Sequence, residues 1–221
     1  MTTVLVMAKA PVAGQAKTRL AADLSGNRAA AAELAAASLL DTIAACAGAV
    51  GPDRCRLAVA GELRQAAQRE ALHGALAGWD VVAQEGDGLD ERLANALAAV
   101  PGPVVQIGMD TPQVTPAMLH RLVAALDRYD AVLAPASDGG WWALGLRSGI
   151  DGELLRGVPM STGTTYAATY AALRSADLRI GTAPTLTDVD HLAEARIVAA
   201  EAPHGRFAQA LRSLDPGRLA S

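Results

Sequence analysis

The sequence predicts an α/β fold: a single open, mixed, mostly parallel sheet flanked by helices. Three observations predict it. Short apolar runs alternate with longer helical stretches over roughly the first two-thirds of the chain, as in open parallel sheets with helices on both faces. Several of these runs end in loops that carry glycine, proline and charge. Past residue 136 the alternation breaks at a tight Asp138-Gly139-Gly140 turn that leads straight into another strand, an antiparallel return.

Taken in order, residues 4–7 read as a short buried strand, and Lys9, Pro11 and Gly14 form a loop that enters a helical pattern at residues 17–20. Residues 28–47 set leucines and an isoleucine among alanines, a long helix of high propensity. Residues 56–60 give a second strand, 62–76 a helix and 79–83 a third strand. The polar loop QEGDGLD, residues 84–90, precedes a helix over 91–100. A buried strand at 104–107 runs into Gly108, Met109 and Asp110. Thr115 caps a helix that starts with Pro116 and reaches about residue 126. Strands at 131–135 and 141–146 flank the glycine turn. The remainder reads as a helix over 165–174, a short strand at 178–181, a helix over 191–200 and one more helix after Pro203. Residues 1–221 are expected to form one domain, since 221 residues can bury one good core and no linker composition interrupts them.

Composition narrows the function. The net charge of -4 argues against a broad nucleic-acid or membrane surface. Aromatic residues are 3% of the chain, so the core rests on Ala, Leu and Val. Cys46 and Cys55 form no C-x-x-C pair and no histidine cluster accompanies them, which fits free thiols in the cytoplasm and argues against zinc. No signal peptide is visible, and the apolar stretch 29–50 contains Glu33 and Asp41, as expected of an Ala-rich core helix and not of a membrane span.

The chain has two lysines against seventeen arginines, and both lysines, Lys9 and Lys17, lie in the loop after the first strand. With Arg19 they make that loop a cationic phosphate-binding candidate, with Gly14 at its turn. The loop lacks both G-x-G-x-x-G and the Gly-Lys-Thr run of a P-loop. Asp110, just past a buried strand, is a candidate metal ligand; the alternative is a turn residue bonded to its own backbone. Asp188 and Asp190 flank Val189 and would point the same way if extended, offering a second metal carboxylate or a helix N-cap. Asp138, Gly139 and Gly140 form either a plain turn or a place where backbone amides approach a ligand. Ser161, Thr162 and Gly163 offer a helix cap or an anion site. Gln84 and Asp87 could touch a nucleotide base or ribose, or be solvated. In such sheets ligands bind at the carboxyl ends of the strands, so the opening loop, the 84–90 loop and the Asp110 loop should share one rim.

Four stretches, KAPVAGQAKTRL, QIGMDTP, ASDGGWWALGL and TDVD, together resemble a bacterial family of nucleotide-diphospho-sugar transferase-like proteins of the glycosyltransferase-A fold, akin to 2-phospholactate guanylyltransferases. The resemblance spans residues 3–200. It implies that Lys17 and Arg19 grip nucleotide phosphates, that Asp110 binds a divalent metal, and that Asp190 supplies the second metal carboxylate. The relatives often read Asp-Thr-Pro where this chain has Asp190, His191 and Leu192, and the G-x-G-T-R loop of sugar nucleotidyltransferases is absent.

The expectation is therefore a cytoplasmic, magnesium- or manganese-dependent transferase that moves a nucleotidyl group from a nucleoside triphosphate to a small phosphorylated acceptor and releases pyrophosphate. Catalysis would fall to Lys17, Arg19 and Asp110. Glycosyl transfer from a nucleotide-sugar and a non-catalytic nucleotide-binding module are the alternatives. The partners are a nucleotide and a small-molecule acceptor, without nucleic acid or membrane, and a homodimer is compatible with this reading.

Overall fold

In the computed structural model, which describes residues 1–214, seven strands form one sheet in the order β3-β2-β1-β4-β6-β5-β7. The strands are β1 (Thr3–Lys9), β2 (Cys55–Ala60), β3 (Asp80–Ala83), β4 (Val104–Gly108), β5 (Ala131–Pro135), β6 (Trp141–Leu146) and β7 (Ile180–Thr182). Every pairing is parallel except those of β6, which runs antiparallel to both β4 and β5. The tight turn at Asp138 thus makes the sheet mixed, as the sequence predicts. β1 is an interior strand beside the central β4, with Val4 opposite Cys55 on one side and Val105 on the other. Buried on both faces, it is a nearly continuous apolar run and does not alternate with polar residues.

The helices are α1 (Thr18–Asp23), α2 (Arg28–Val50), α3 (Arg69–Ala75), α4 (Leu89–Ala98), α5 (Pro116–Ala125), α6 (Thr165–Ser175), α7 (Leu192–Glu201) and α8 (Arg206–Leu214). Successive β1 side chains enter opposite layers, as the two-residue period of a strand requires. Val4 and Val6 pack with Leu39 and Ile43 of α2 and Leu119 of α5. Leu5 and Met7 pack with Leu93 and Leu97 of α4 and Leu173 of α6. A third cluster joins Leu20 of α1, Leu34 of α2, Val198 of α7 and Phe207 of α8 around Val189. This cluster fixes the 187–190 segment beside α1. By length and composition α2 could cross a membrane, yet 67% of its most apolar window is buried inside the fold, so it is used as a core helix.

The predicted helix over 62–76 is interrupted. It becomes a 3₁₀ turn at Leu63–Gln65 followed by α3. Gln68 between them takes a left-handed backbone, φ 52°, and Ala67 N donates to Pro11 O at 2.9 Å, which ties the break to the loop after β1. A longer 3₁₀ stretch, Gly149–Leu155, has no counterpart among the elements the sequence predicts. Its glycines allow it to lie on α4: a Cβ on Gly149 would stand 2.4 Å from the Leu97 carbonyl oxygen. The expected helix after Pro203 is α8; the rest of that tail lies outside the described residues.

Candidate active site

The loops after β1, β3 and β4 open on one rim, where Lys9, Gln84 and Asp110 line the same lobe of a cleft. This lobe has a volume of about 450 Å³ and is also lined by Gln15, Lys17, Arg19, Arg92 and Asp190. A second lobe of about 350 Å³ is lined by Gln106, Thr111, Asp138, Gly140, Trp141, Thr162 and Asp188, among others. Met7, Arg19, Leu89, Asp110 and Asp190 belong to both lobes.

At the junction stands an ion cluster. Lys17 Nζ lies 2.7 Å from Asp110 Oδ1 and 3.2 Å from Asp190 Oδ1, and it also donates to the Val189 carbonyl. Arg19 holds the other oxygen of Asp190 at 2.8 Å. Lys17 immediately precedes α1 with a left-handed backbone, φ 50° and ψ 48°, so Lys17 and Arg19 enter from the start of that helix. The two acidic loops are stitched together by their backbones. Val189 N donates to Asp110 O at 2.8 Å, and Gln113 Nε2 donates to Thr187 O at 2.6 Å. Ser38 Oγ on α2 holds the Met109 carbonyl at 2.5 Å.

The charges answer to this geometry. Burial alone would lower the pKa of Lys17, but attraction from Asp110 and Asp190 outweighs it and raises the pKa above the ordinary 10.5. Burial would raise that of Asp190, but Lys17 and Arg19 outweigh it and hold the carboxyl below its ordinary value. Asp188 has no such partner. Burial first, then repulsion from Asp138, Asp190 and Asp110, pushes it up to about 6.

Asp110 and Asp190 therefore converge on one cation, and a donor set of two carboxylates suits a single magnesium or manganese ion that also takes phosphate oxygens and water. No group of three or more His, Cys, Asp or Glu side chains is placed to hold a metal ion among the described residues. Asp188 faces the second lobe. Neither it nor Asp190 caps α7: the Leu192 amide goes to Asp23 Oδ2 at 2.9 Å and the His191 amide to Glu194 Oε2 at 2.8 Å.

Other candidates separate. The Lys9 side chain is exposed on the first lobe. Gln84 lines that lobe, but its amide nitrogen is committed to the carbonyls of Ala8 and Ala58, at 2.9 and 3.0 Å, bracing β1 and β2 at the rim. Asp87 is exposed and lines neither lobe. Gly14 turns the first loop at φ 79° and also lies off the lining. The Asp138 turn is a closed structure, with Gly140 N bonded to Asp138 Oδ1 at 2.7 Å. Gly139 packs on the loop before α6, where a Cβ would sit 2.3 Å from Gly163 O, and its carbonyl accepts from Tyr166 N at 2.9 Å. Gly139 thus satisfies an α6 amide, and no side-chain cap from Ser161, Thr162 or Thr164 does.

Three residues escaped the sequence reading. Arg92 lines the first lobe, where its Nε donates to Gly86 O at 2.9 Å. Gln106 and Thr111 line the second lobe at 2% and 3% exposure, and the Gln106 carbonyl oxygen and Thr111 hydroxyl have no hydrogen-bond partner. A glutamine in the apolar run Val-Val-Gln-Ile was the available signal for Gln106.

A sequence profile described as "Uncharacterized protein conserved in bacteria (DUF2064)" matches residues 42–162, more than half of the chain. No curated protein matches it. Among solved structures, a "putative nucleotide-diphospho-sugar transferase" from Desulfovibrio desulfuricans G20 superposes with a TM-score of 0.84 at 23% identity, covering 97% of this chain and 95% of that one. The 4-diphosphocytidyl-2C-methyl-D-erythritol synthase of Anaerococcus prevotii DSM 20548 gives 0.60 at 9% identity, covering 92% and 97%. A CMP:2-keto-3-deoxy-manno-octonic acid synthetase complexed with CTP gives 0.58 at 12%, covering 91% and 98%. At these identities the likeness is one of fold.

Proposed function

The chain belongs to the bacterial family DUF2064, and we propose that it is a cytoplasmic, single-domain nucleotidyltransferase that transfers a nucleotidyl group from a nucleoside triphosphate to a small phosphorylated acceptor. The observation that carries this reading is the meeting of Lys17, Arg19, Asp110 and Asp190 at the junction of two lobes. One lobe is rich in cations: Lys9, Lys17, Arg19 and Arg92 all line it, in a chain of net charge -4. That local excess suits a polyphosphate. The names of the CTP-bound and diphosphocytidyl-forming neighbours support nucleotidyl transfer on this fold.

In this reading the triphosphate lies in the cationic lobe and the acceptor enters from the second. An acceptor phosphate oxygen attacks the α-phosphorus, the bond from that phosphorus to the α,β-bridging oxygen breaks, and pyrophosphate leaves with the bond electrons. A phosphate nucleophile is already an anion and needs no general base. Asp110 and Asp190 would hold a magnesium or manganese ion, which when bound supplies positive charge at the phosphates. Lys9, Arg19 and Arg92 draw the triphosphate in and offset charge on the leaving pyrophosphate, so that catalysis is positioning and charge stabilisation. In glycosyl transfer the diphosphate would leave still attached to the nucleoside, and four cations on the triphosphate side would have less to do.

A donor screen tests this. Protein with magnesium, each nucleoside triphosphate in turn and a set of phosphorylated acceptors should release pyrophosphate, and Asp110→Ala should abolish that release while the circular dichroism spectrum is unchanged. Consumption of nucleotide-sugars alone would replace the reading with glycosyl transfer, and binding without turnover of either donor would replace it with a nucleotide-binding module.

A further inference from the structure

An ammonium has three N–H donors. Lys17 donates to Asp190 Oδ1 and the Val189 carbonyl, and its ammonium stands 2.7 Å from Asp110 Oδ1 as an ion pair. The side chain is only 10% exposed. The Lys17 charge is therefore committed to two carboxylates, although the residue lies in the loop best suited to bind a phosphate. It occupies the meeting point of the two carboxylates that would hold the metal.

These partners differ in how freely they can move. The Asp110 and Val189 backbones are bonded to each other at 2.8 Å, and Val189 is anchored in the apolar cluster beneath α1. Arg19 holds the second oxygen of Asp190. Lys17, by contrast, carries its charge on a flexible four-carbon stem. A divalent cation binding both carboxylates must displace the ammonium, and the lobe that would receive it is lined by Lys9, Arg19 and Arg92. Expelled there alone, the ammonium meets like charge. Expelled together with an incoming triphosphate, it meets an anion.

We propose that Lys17 is an internal counter-ion that closes the Asp110–Asp190 pair to a bare divalent cation, so that the pair accepts the metal as its nucleotide complex. This rests on the nucleotidyl-transfer reading and adds an order to it: the nucleotide and metal arrive together, and the released ammonium then binds phosphate. Lys17 is thus a specificity-determining residue for the metal–nucleotide complex over the free metal.

The test is a manganese titration followed by electron paramagnetic resonance, without nucleotide, on the parent protein and on Lys17→Met. The proposal expects Lys17→Met to bind Mn2+ at least about tenfold more tightly than the parent, because one positive charge has left the carboxylate pair. Adding Asp110→Asn to Lys17→Met should remove the gain. Equal Mn2+ affinity in the parent and Lys17→Met, with nucleoside triphosphate still bound by the parent, overturns the proposal alone. Failure of Mn2+ to bind either protein, with or without any nucleoside triphosphate, overturns both the proposal and the reading beneath it. A second measurement needs no variant. The chain has two lysines, so lysine side-chain labelling gives two resonances to follow by NMR. The Lys17 signal should stay put on adding Mg2+ alone and shift on adding Mg2+ with the triphosphate that binds; a full shift with Mg2+ alone overturns the proposal.

Discussion

Replacing Lys17 by Met asks how much the ion cluster contributes to folding. Methionine keeps most of the apolar stem, so little packing is lost. The left-handed backbone at φ 50° is strained equally in both proteins and cancels. What changes is the hydrogen bonds from the ammonium to Asp190 Oδ1 and the Val189 carbonyl and the ion pair with Asp110; a hydrogen bond from a charged group contributes about 1.5–3 kcal/mol where well made. Two effects reduce that sum. The Asp110 and Asp190 side chains are 42% and 39% exposed, so water rehydrates them once the ammonium is gone. The variant also escapes the cost of burying the ammonium. The net expectation is a loss of about 2 kcal/mol, or about 4–8 °C in Tm for a chain of this size. Urea unfolding with EDTA present measures it, with the m-value unchanged. The pH dependence has a definite sign. Asp190 is held below its ordinary pKa of 3.8 with help from Lys17, so the stability this brings is present above that value and fades as pH falls through the lower, folded-state pKa. The gap between parent and variant should therefore close on acidification. A variant as stable as the parent at neutral pH, or a gap that widens in acid, would show that the ion cluster does not stabilise the fold.

Gln106→Leu and Thr111→Val remove buried polar atoms that lack partners, so each should be neutral or stabilising by up to about 1 kcal/mol, while KM for the acceptor rises about tenfold and triphosphate binding is unchanged; a clear loss of stability would mean these atoms are bonded in the folded protein. Gly139→Ala forces a Cβ to within 2.3 Å of Gly163 O at φ 89°, and should cost more than about 2 kcal/mol in thermal or urea unfolding; a cost below about 0.5 kcal/mol would show that the loop before α6 gives way freely. Burial raises the thiol pKa of Cys46 well above the ordinary 9.0 and that of Cys55 to about 12, so neither should react with a thiol reagent at pH 8 until the protein is unfolded. The folded state retains those protons, so stability should fall as pH climbs from about 9 towards 12; rapid labelling of the native protein would contradict the burial.

Much of the fold was legible because its signals are local. The apolar runs at β1 and β4 declare buried strands, and Thr115-Pro116 marks a helix start that the structure uses, with Thr115 Oγ1 accepting from Met118 N at 3.3 Å. The break in the 62–76 helix was not legible, because Ala67 is drawn to Pro11, 56 residues away in sequence. Within the site, the lysine count singled out Lys17 and the strand end singled out Asp110. Their contact spans 93 positions and depends on how β1 and β4 pair, which no local pattern encodes. The residue pattern alone left Asp188 and Asp190 even, and only the family resemblance pointed to Asp190. The structure separates them because Lys17 and Arg19 both reach Asp190, and Asp188 is left facing Asp138 across the second lobe. Arg92 carried no local signal that set it apart from the other arginines.

Anomalous diffraction from crystals grown with Mn2+ and a non-hydrolysable triphosphate analogue would locate the metal, the phosphates and the Lys17 ammonium together. A manganese peak bound by Asp110 and Asp190 is expected, with phosphates in the lobe lined by Lys9 and Arg92 and the Lys17 ammonium moved onto a phosphate oxygen. A nucleotide bound with the Lys17–Asp110 pair intact and the manganese elsewhere would contradict that expectation.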